Sequence, residues 1–157
     1  MEDPFGYATL GCGVFYRDPV AALAWLEAAF GFRRSLLVRD EAGRLAHAEM
    51  RFADAYIIID AEWAGHVASP LSVGGKNTRS VYLRLSEGLD AHCEVARRAG
   101  ARILQEPADQ IHGDRTYRAL DPEGHVWTFA QTVRHVSREE AERLGGFQIE
   151  GWHEAGK

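Results

Sequence analysis

Long apolar runs are missing from this 157-residue chain: no stretch approaches the about 18–20 consecutive apolar residues that a membrane-spanning helix needs. The opening Met1-Glu2-Asp3-Pro4 is acidic and has neither the basic nor the apolar region of a secretory signal, so a cytoplasmic location is expected. Cysteine is scarce. Cys12 and Cys93 form no disulfide framework and no metal-type Cys-x-x-Cys spacing, and both read as buried thiols. Clusters of basic charge are also absent: adjacent cations come only as the pairs Arg33-Arg34 and Arg97-Arg98, and the net charge is -5. Nucleic acid is thereby disfavoured as a partner, because phosphate binding wants grouped Lys and Arg. No serine or cysteine has the local context of a nucleophile, and Gly74-Gly75 lacks the lysine-serine or helix signature of a phosphate loop.

What is present is a core-forming composition, 46% hydrophobic and 26% charged, that of a folded globular domain. A strand is predicted over 9–17. Asp18-Pro19 then opens a helix with a carboxylate cap and proline at the first helical position; Leu23, Leu26 and Phe30 recur at helical spacing and Gly31 closes it. Strands follow over 33–40, 45–52 and 55–60, separated by Glu41-Ala42-Gly43 and Ala53-Asp54. Residues 61–78 carry Gly65, Pro70, Gly74 and Gly75 without a period and read as a long connection, of the kind that is functional or a linker. The pattern then restarts: a half-buried strand over 80–85, a helix marked by Leu89, Cys93 and Ala96 and ended by Gly100, and strands over 101–106, 115–120 and 125–131. Ser137-Arg138-Glu139-Glu140 is a capping box that opens a short last helix.

Both halves read strand, helix, strand, strand, strand, and a single shift of 69 residues superposes their landmarks: Gly31 on Gly100, Asp18 on Glu87, and Ala53-Asp54-Ala55 on Pro122-Glu123-Gly124. The fold expected is α+β, two βαβββ modules in tandem (about 9–60 and 79–131) forming a cupped mixed sheet with helices on the outer face. The two modules belong to one domain, 1–157, whose C-terminal helix and tail occupy 132–157. Pairing the modules buries more sheet and encloses a cleft, where a ligand would bind.

Tyr16-Arg17-Asp18-Pro19, followed by Ala22-Leu23-Ala24-Trp25-Leu26 and Phe30-Gly31-Phe32, resembles the opening of glyoxalase/bleomycin-resistance proteins, the vicinal oxygen chelate superfamily. Gly113-Asp114-Arg115 leading to Asp121-Pro122-Glu123-Gly124-His125-Val126-Trp127 resembles their last two strands. The resemblance implies paired βαβββ modules, frequent dimers, and either metal-dependent enzymes or metal-free proteins that sequester antibiotics. The enzymes of the family hold their divalent metal with His and Glu from the first and last strand of each module. Carried onto this chain, those positions are Gly11, Ile59, Ser80 and Thr128, none of which supplies the imidazole, carboxylate or thiolate donors such a metal needs. A slip of one residue brings in Asp60, but with Cys12, Val81 and Phe129 it completes no site. No metal and no cofactor are therefore expected.

Strand alternation places a different set on the cleft: Phe15, His47, Glu49, Tyr82, Arg84, Arg118 and Thr128 as ligand-binding candidates. Aromatic rings offer stacking surface, and arginines suit a carboxylate or another planar anion. A plainer reading has these side chains pairing internally, Glu49 with Arg118. His47 and Glu49, two apart on one strand face, are the candidate catalytic residues as an acid/base pair, or two ligands of a metal that lacks a third. Among the other histidines, His92 is expected partly exposed on the second helix, His125 caps a strand, and His66, His112, His135 and His153 fall in loops or tail. His112-Gly113-Asp114 is a candidate lid. The function expected is metal-independent binding of a small, partly aromatic organic molecule by a homodimer, as in sequestration of an antibiotic or carriage of a metabolite. The competing readings are an enzyme of the same fold, working through an atypical metal site or His47/Glu49, and a protein-interaction module acting through the long loop and tail.

Overall fold

The computed structural model describes residues 6–152. The first module contains β1 (Gly11–Tyr16), α1 (Pro19–Phe30), β2 (Arg33–Arg39), β3 (Leu45–Phe52) and β4 (Ala55–Ala61). The second repeats the order with β5 (Ser80–Arg84), α2 (Leu89–Arg98), β6 (Arg102–Asp109), β7 (Asp114–Leu120) and β8 (Val126–Thr132), and α3 (Arg138–Gly145) follows. Each module is one four-stranded mixed sheet, ordered β1-β4-β3-β2 and β5-β8-β7-β6, with the first and last strands parallel and the others antiparallel. The α+β tandem architecture is thus the one the repeat implies.

Local chemistry fixes the helix ends. The Asp18 carboxylate accepts from the Ala21 N–H at 2.9 Å, Pro19 takes the first helical position, and Gly31 leaves the helix at φ 75°. Ser137 caps α3 in the same way, accepting from Glu140 N at 3.1 Å. β6 runs further than the sequence indicates, through Pro107 to Asp109, and it tolerates that proline because it is an edge strand whose outer N–H groups have no ladder to join.

The modules share one core. Ala22, Leu23, Leu26, Ala29 and Phe30 of α1 face β1, β3 and β4, while Leu89, Cys93 and Ala96 of α2 face the second sheet, and α1 packs against α2. Where they meet, Phe30 contacts both Trp127 and Phe129 at ring-centroid distances of 5.3 and 4.8 Å, and Phe32 contacts Trp127 at 5.6 Å. Burial of each such ring contributes about 1.5–3 kcal/mol. Both sheets turn their helix-bearing faces into this core, so their opposite faces look away from it.

Polar groups tie the modules together as well. Trp25 Nε1 donates to the Ala99 carbonyl at 2.7 Å. His92, partly exposed as expected, donates from Nε2 to the Phe30 carbonyl at 3.1 Å, which leaves Nδ1 to accept from the Tyr117 hydroxyl at 2.6 Å. Burial lowers its pKa and keeps the ring neutral, as that pairing requires. His125 does more than cap a strand: it is 4% exposed and donates from Nε2 to the Phe15 carbonyl at 2.9 Å. Cys93 is fully buried, while Cys12 is only half-buried.

Candidate functional site

The faces turned away from the core are where functional side chains stand. In module one, β1 and β4 run in register with Gly11 beside Tyr56, Gly13 beside Ile58 and Phe15 beside Asp60, and β3 adds Glu49 opposite Ile58. His47 lies between two carboxylates: Nε2 is 3.2 Å from Glu49 Oε1 and Nδ1 is 3.5 Å from Asp60 Oδ1. The Tyr7 hydroxyl donates to the other Glu49 oxygen at 2.8 Å. Burial raises the Asp60 pKa, with the His47 charge and hydrogen bond pulling the other way. An imidazole flanked by carboxylates on both nitrogens is suited to taking up and passing on a proton.

In module two, Ser80, Tyr82 and Arg84 stand beside Val126, Thr128 and Ala130, and Arg118 lies opposite Thr128, donating from Nε to its hydroxyl at 3.2 Å. Arg84 forks onto Asp114, Nη1 to Oδ2 at 2.9 Å and Nη2 to Oδ1 at 2.8 Å, and Nη2 also donates to Thr132 Oγ1 at 2.6 Å. Burial raises the Asp114 pKa, but hydrogen bonds from Arg84 and Thr132 outweigh it and hold this carboxylate below its usual range. Over this end of the sheet the chain from Arg134 to Trp152 folds back, enclosing a cavity of about 970 Å³ lined by Tyr82, Arg84, His112, Asp114, Thr132 and Trp152, among others. That is the upper end of the about 300–1,000 Å³ usual for small-molecule sites.

The sequence-derived candidates therefore divide. Tyr82 and Arg84 line the cavity; Phe15, His47 and Glu49 stand on the other module's face, and Arg118 and Thr128 pair with each other outside the cavity. No hydrogen bond or ion pair among the described residues joins the two faces, and Glu49 is held by Tyr7 and His47, not by Arg118. The candidate lid is pinned: the Gly113 carbonyl accepts from Val133 N and Arg134 N at 3.0 and 3.1 Å, and Asp114 is buried under Arg84. His153 lies outside the described residues. Asp60, Tyr7, Thr132 and Trp152 are not among the sequence-derived site residues, and Asp114 is there only as part of the candidate lid. Asp60 left a trace as the one-residue slip, and Asp114 in the Gly113-Asp114-Arg115 phrase and the His112-Gly113-Asp114 lid.

The metal implied by the resemblance finds no donors here. Arg51 pairs with Tyr56 across four residues while its counterpart Leu120 pairs with Val126 across five, so Glu49 pairs with Ile58 where Arg118 pairs with Thr128. The 69-residue shift thus becomes 70 on the last strand. The module-one counterpart of Thr128 is Ile58, and Ile59 is 0% exposed in the core, which corrects the register but supplies no ligand. At Gly11 the Tyr56 ring already fills the space a longer side chain would take. Gly11, Ile58, Ser80 and Thr128 do not fit a divalent metal, and among the described residues no three His, Cys, Asp or Glu side chains converge on one. No helix among them is long and apolar enough to cross a membrane.

A family model described as Glyoxalase/Bleomycin resistance protein/Dioxygenase superfamily matches residues 2–129. Uncharacterised proteins of Mycobacterium bovis and Mycobacterium tuberculosis are each 30% identical over 113 residues, covering 69% of this chain and 73% and 65% of their own lengths. Among solved structures, TioX from Micromonospora sp. ML1 is similar with a TM-score of 0.66 and 28% identity, over 80% of this chain and 99% of that one. A glyoxalase/bleomycin resistance protein/dioxygenase family enzyme from Burkholderia phytofirmans PsJN shares the fold at a TM-score of 0.59 and 21% identity, over 78% and 97%. The family match ends before α3, so the segment that closes the cavity lies beyond it.

Proposed function

Because this chain belongs to the Glyoxalase/Bleomycin resistance protein/Dioxygenase superfamily, yet has no donors at the superfamily's metal positions, we propose that it is a metal-independent binding protein for a small, partly aromatic organic molecule, acting by sequestration or carriage. The observation that carries the reading is the cavity on module two. Tyr82 is 51% exposed and offers its ring, Trp152 also lines the cavity, and Arg84 is held by the Asp114 carboxylate while its side chain stays half-exposed. A planar guanidinium and aromatic rings lining one cavity favour a flat ligand by stacking and cation–π attraction. In the same reading a second copy completes the cup, module one of one protomer facing module two of the other. The acidic Glu49 and Asp60 would then meet the basic Arg84 and Arg118, and the exposed Leu36, Leu37 and Val38 on edge strand β2 would find cover.

Thermal-shift and calorimetric titration with aromatic antibiotics and aromatic carboxylic acids test it. Expected is saturable binding that Tyr82→Ala weakens about tenfold, the equivalent of about 1.4 kcal/mol for one aromatic contact. Silence across a broad panel favours a protein-contact role for the 61–78 loop and tail instead. One stoichiometric Zn, Ni, Mn or Fe per purified chain would sink metal independence.

A second reading rests on His47 and its two carboxylates: an enzyme of the same fold doing acid/base chemistry on module one. Glu49 and Asp60 would orient the ring while His47 moves the proton. If His47→Ala leaves any turnover that is found intact, this version fails.

A further inference from the structure

Arg79 ends the connecting loop directly before β5, and its Nε and Nη2 are the buried side-chain donors that lack a hydrogen-bond partner among the described residues. One side of the guanidinium rests on Phe15, its carbon 5.7 Å from the ring centroid. The carboxylates that share its surroundings are Asp121 and Glu123, which act with it on Tyr16 and His125. Asp121 is saturated, and Glu123 already takes three donors. Asp121 Oδ1 accepts from Glu123 N and His125 N at 3.0 and 2.9 Å, and Oδ2 from Tyr16 OH and Trp127 Nε1 at 2.7 and 3.0 Å. Glu123 Oε1 accepts from Asp18 N at 2.9 Å, and Oε2 from Arg17 N at 2.8 Å and Ser69 Oγ at 2.5 Å. Buried donors on a cation are costly to leave unpaired, so the geometry asks for an acceptor that the described residues do not supply.

Beside Arg79 is a second cavity, about 260 Å³, lined among others by His66, Lys76, Asn77, Arg79 and His125, and by no Asp or Glu. Two permanent cations without a lining acid stand out in a chain of net charge -5. The loop that carries them is fixed: Asn77 Nδ2 donates to the Gly124 carbonyl at 2.8 Å, and Ser69 N donates to Glu62 Oε1 at 2.8 Å. A preorganised cationic pocket binds an anion without first ordering a flexible loop. We infer that this pocket at the junction of the modules, separate from the cavity of Tyr82 and Arg84, binds a small oxyanion, a phosphate or carboxylate group carried free or on a short organic stem. The volume suffices, since one water takes about 30 Å³ of liquid. Arg79, whose Nε and Nη2 are closed off from solvent in this conformation, would turn its fork onto the anion, and Lys76 would supply a second charge.

The test uses the full chain and inorganic phosphate, with succinate as the carboxylate arm and sodium chloride at equal ionic strength as reference. Calorimetry and the thermal midpoint are read together. Expected is saturable binding and a raised midpoint with phosphate or succinate, whichever group the pocket takes, beyond the chloride value. Arg79→Gln raises the apparent Kd about tenfold or more, the scale of one charge-assisted hydrogen bond, and Lys76→Gln raises it by a smaller factor. Should Arg79→Gln fold poorly, Lys76→Gln and Arg79→Lys (charge kept, fork lost) read the same site. If both anions merely track chloride, or if saturable binding persists unchanged in all folded variants, the inference is overturned.

Discussion

Two turns occupy the same place in the two modules and do different work. Between β3 and β4 stand Ala53 and Asp54, both exposed, with Ala53 at φ 50°. Between β7 and β8 stands Asp121-Pro122-Glu123-Gly124-His125, where Asp121 is buried and holds four donors and Glu123 accepts the backbone N–H groups of Arg17 and Asp18 at the start of α1. The first turn only reverses the chain. The second clamps module two onto module one, with a carboxylate placed at a helix N-terminus where the macrodipole favours it. A repeat thus sets the backbone plan, while the inter-module contacts decide which copy of an element bears the load, and the one extra residue between paired positions in module two displaces the register of the last strand by one.

The sharpest way to break this comparison is at the two aspartates. Asp121→Ala strands the Tyr16 hydroxyl and the Trp127 indole N–H, both in the core, together with two backbone donors. It is expected to cost about 3–5 kcal/mol, as the loss of one member of a buried charged network does. Asp54→Ala, at an exposed site, is expected within about 0.5 kcal/mol. Urea unfolding of the two variants measures the contrast, and equal effects would dissolve it.

The sequence made the two-module plan legible because its signals are local: the Asp18-Pro19 cap, Gly31, the Ser137 capping box, and the alternation of Val81 and Leu83 with Tyr82 and Arg84. The candidate site was legible only in parts. Alternation correctly grouped His47 with Glu49 and Tyr82 with Arg84, since parity along a strand needs no tertiary knowledge. It gave no means of seeing that the faces bearing these groups look away from a shared core, because that depends on Phe30 meeting Trp127 and Phe129 across nearly a hundred residues. The wall made by Trp152 was hidden for the same reason. The slip from Ile59 to Ile58 arose from one extra residue between paired positions, which a single fixed offset cannot carry.

A second contrast sets Asp114 against Asp60, one carboxylate on each module's open face. Asp114→Asn, which removes the charge from the Arg84 fork, is expected to cost about 1–2 kcal/mol at neutral pH, kept modest because Arg84 is half-exposed. The folded-state pKa of Asp114 is depressed, so its stabilisation is present above the ordinary carboxylate value of about 4 and is lost as pH falls through the folded value. The gap between wild type and Asp114→Asn therefore closes on acidification. Asp60 runs the other way. Its pKa is raised, so wild type compares best with Asp60→Asn below about pH 4 and loses ground as pH rises through the folded value. Urea midpoints across about pH 3–7 read both slopes, and slopes of the same sign would refute the assignment of opposite environments.

The smallest effects return to the turns. Gly124 has φ 88°, and a Cβ there would sit 3.4 Å from Pro70 Cβ, so space is tolerable and the backbone is the obstacle. Gly124→Ala is expected to cost about 1–2 kcal/mol. Ala53 already bears such a strain at φ 50° on an exposed turn, so Ala53→Gly is expected to stabilise by about 0.5–1 kcal/mol, the relieved strain exceeding the entropy lost from a freer unfolded chain. Thermal midpoints of the two reciprocal variants decide the matter. If Ala53→Gly destabilises instead, the simple turn is also held by its neighbours, and the division of labour between the modules is narrower than the hydrogen bonds at Asp121 and Glu123 imply.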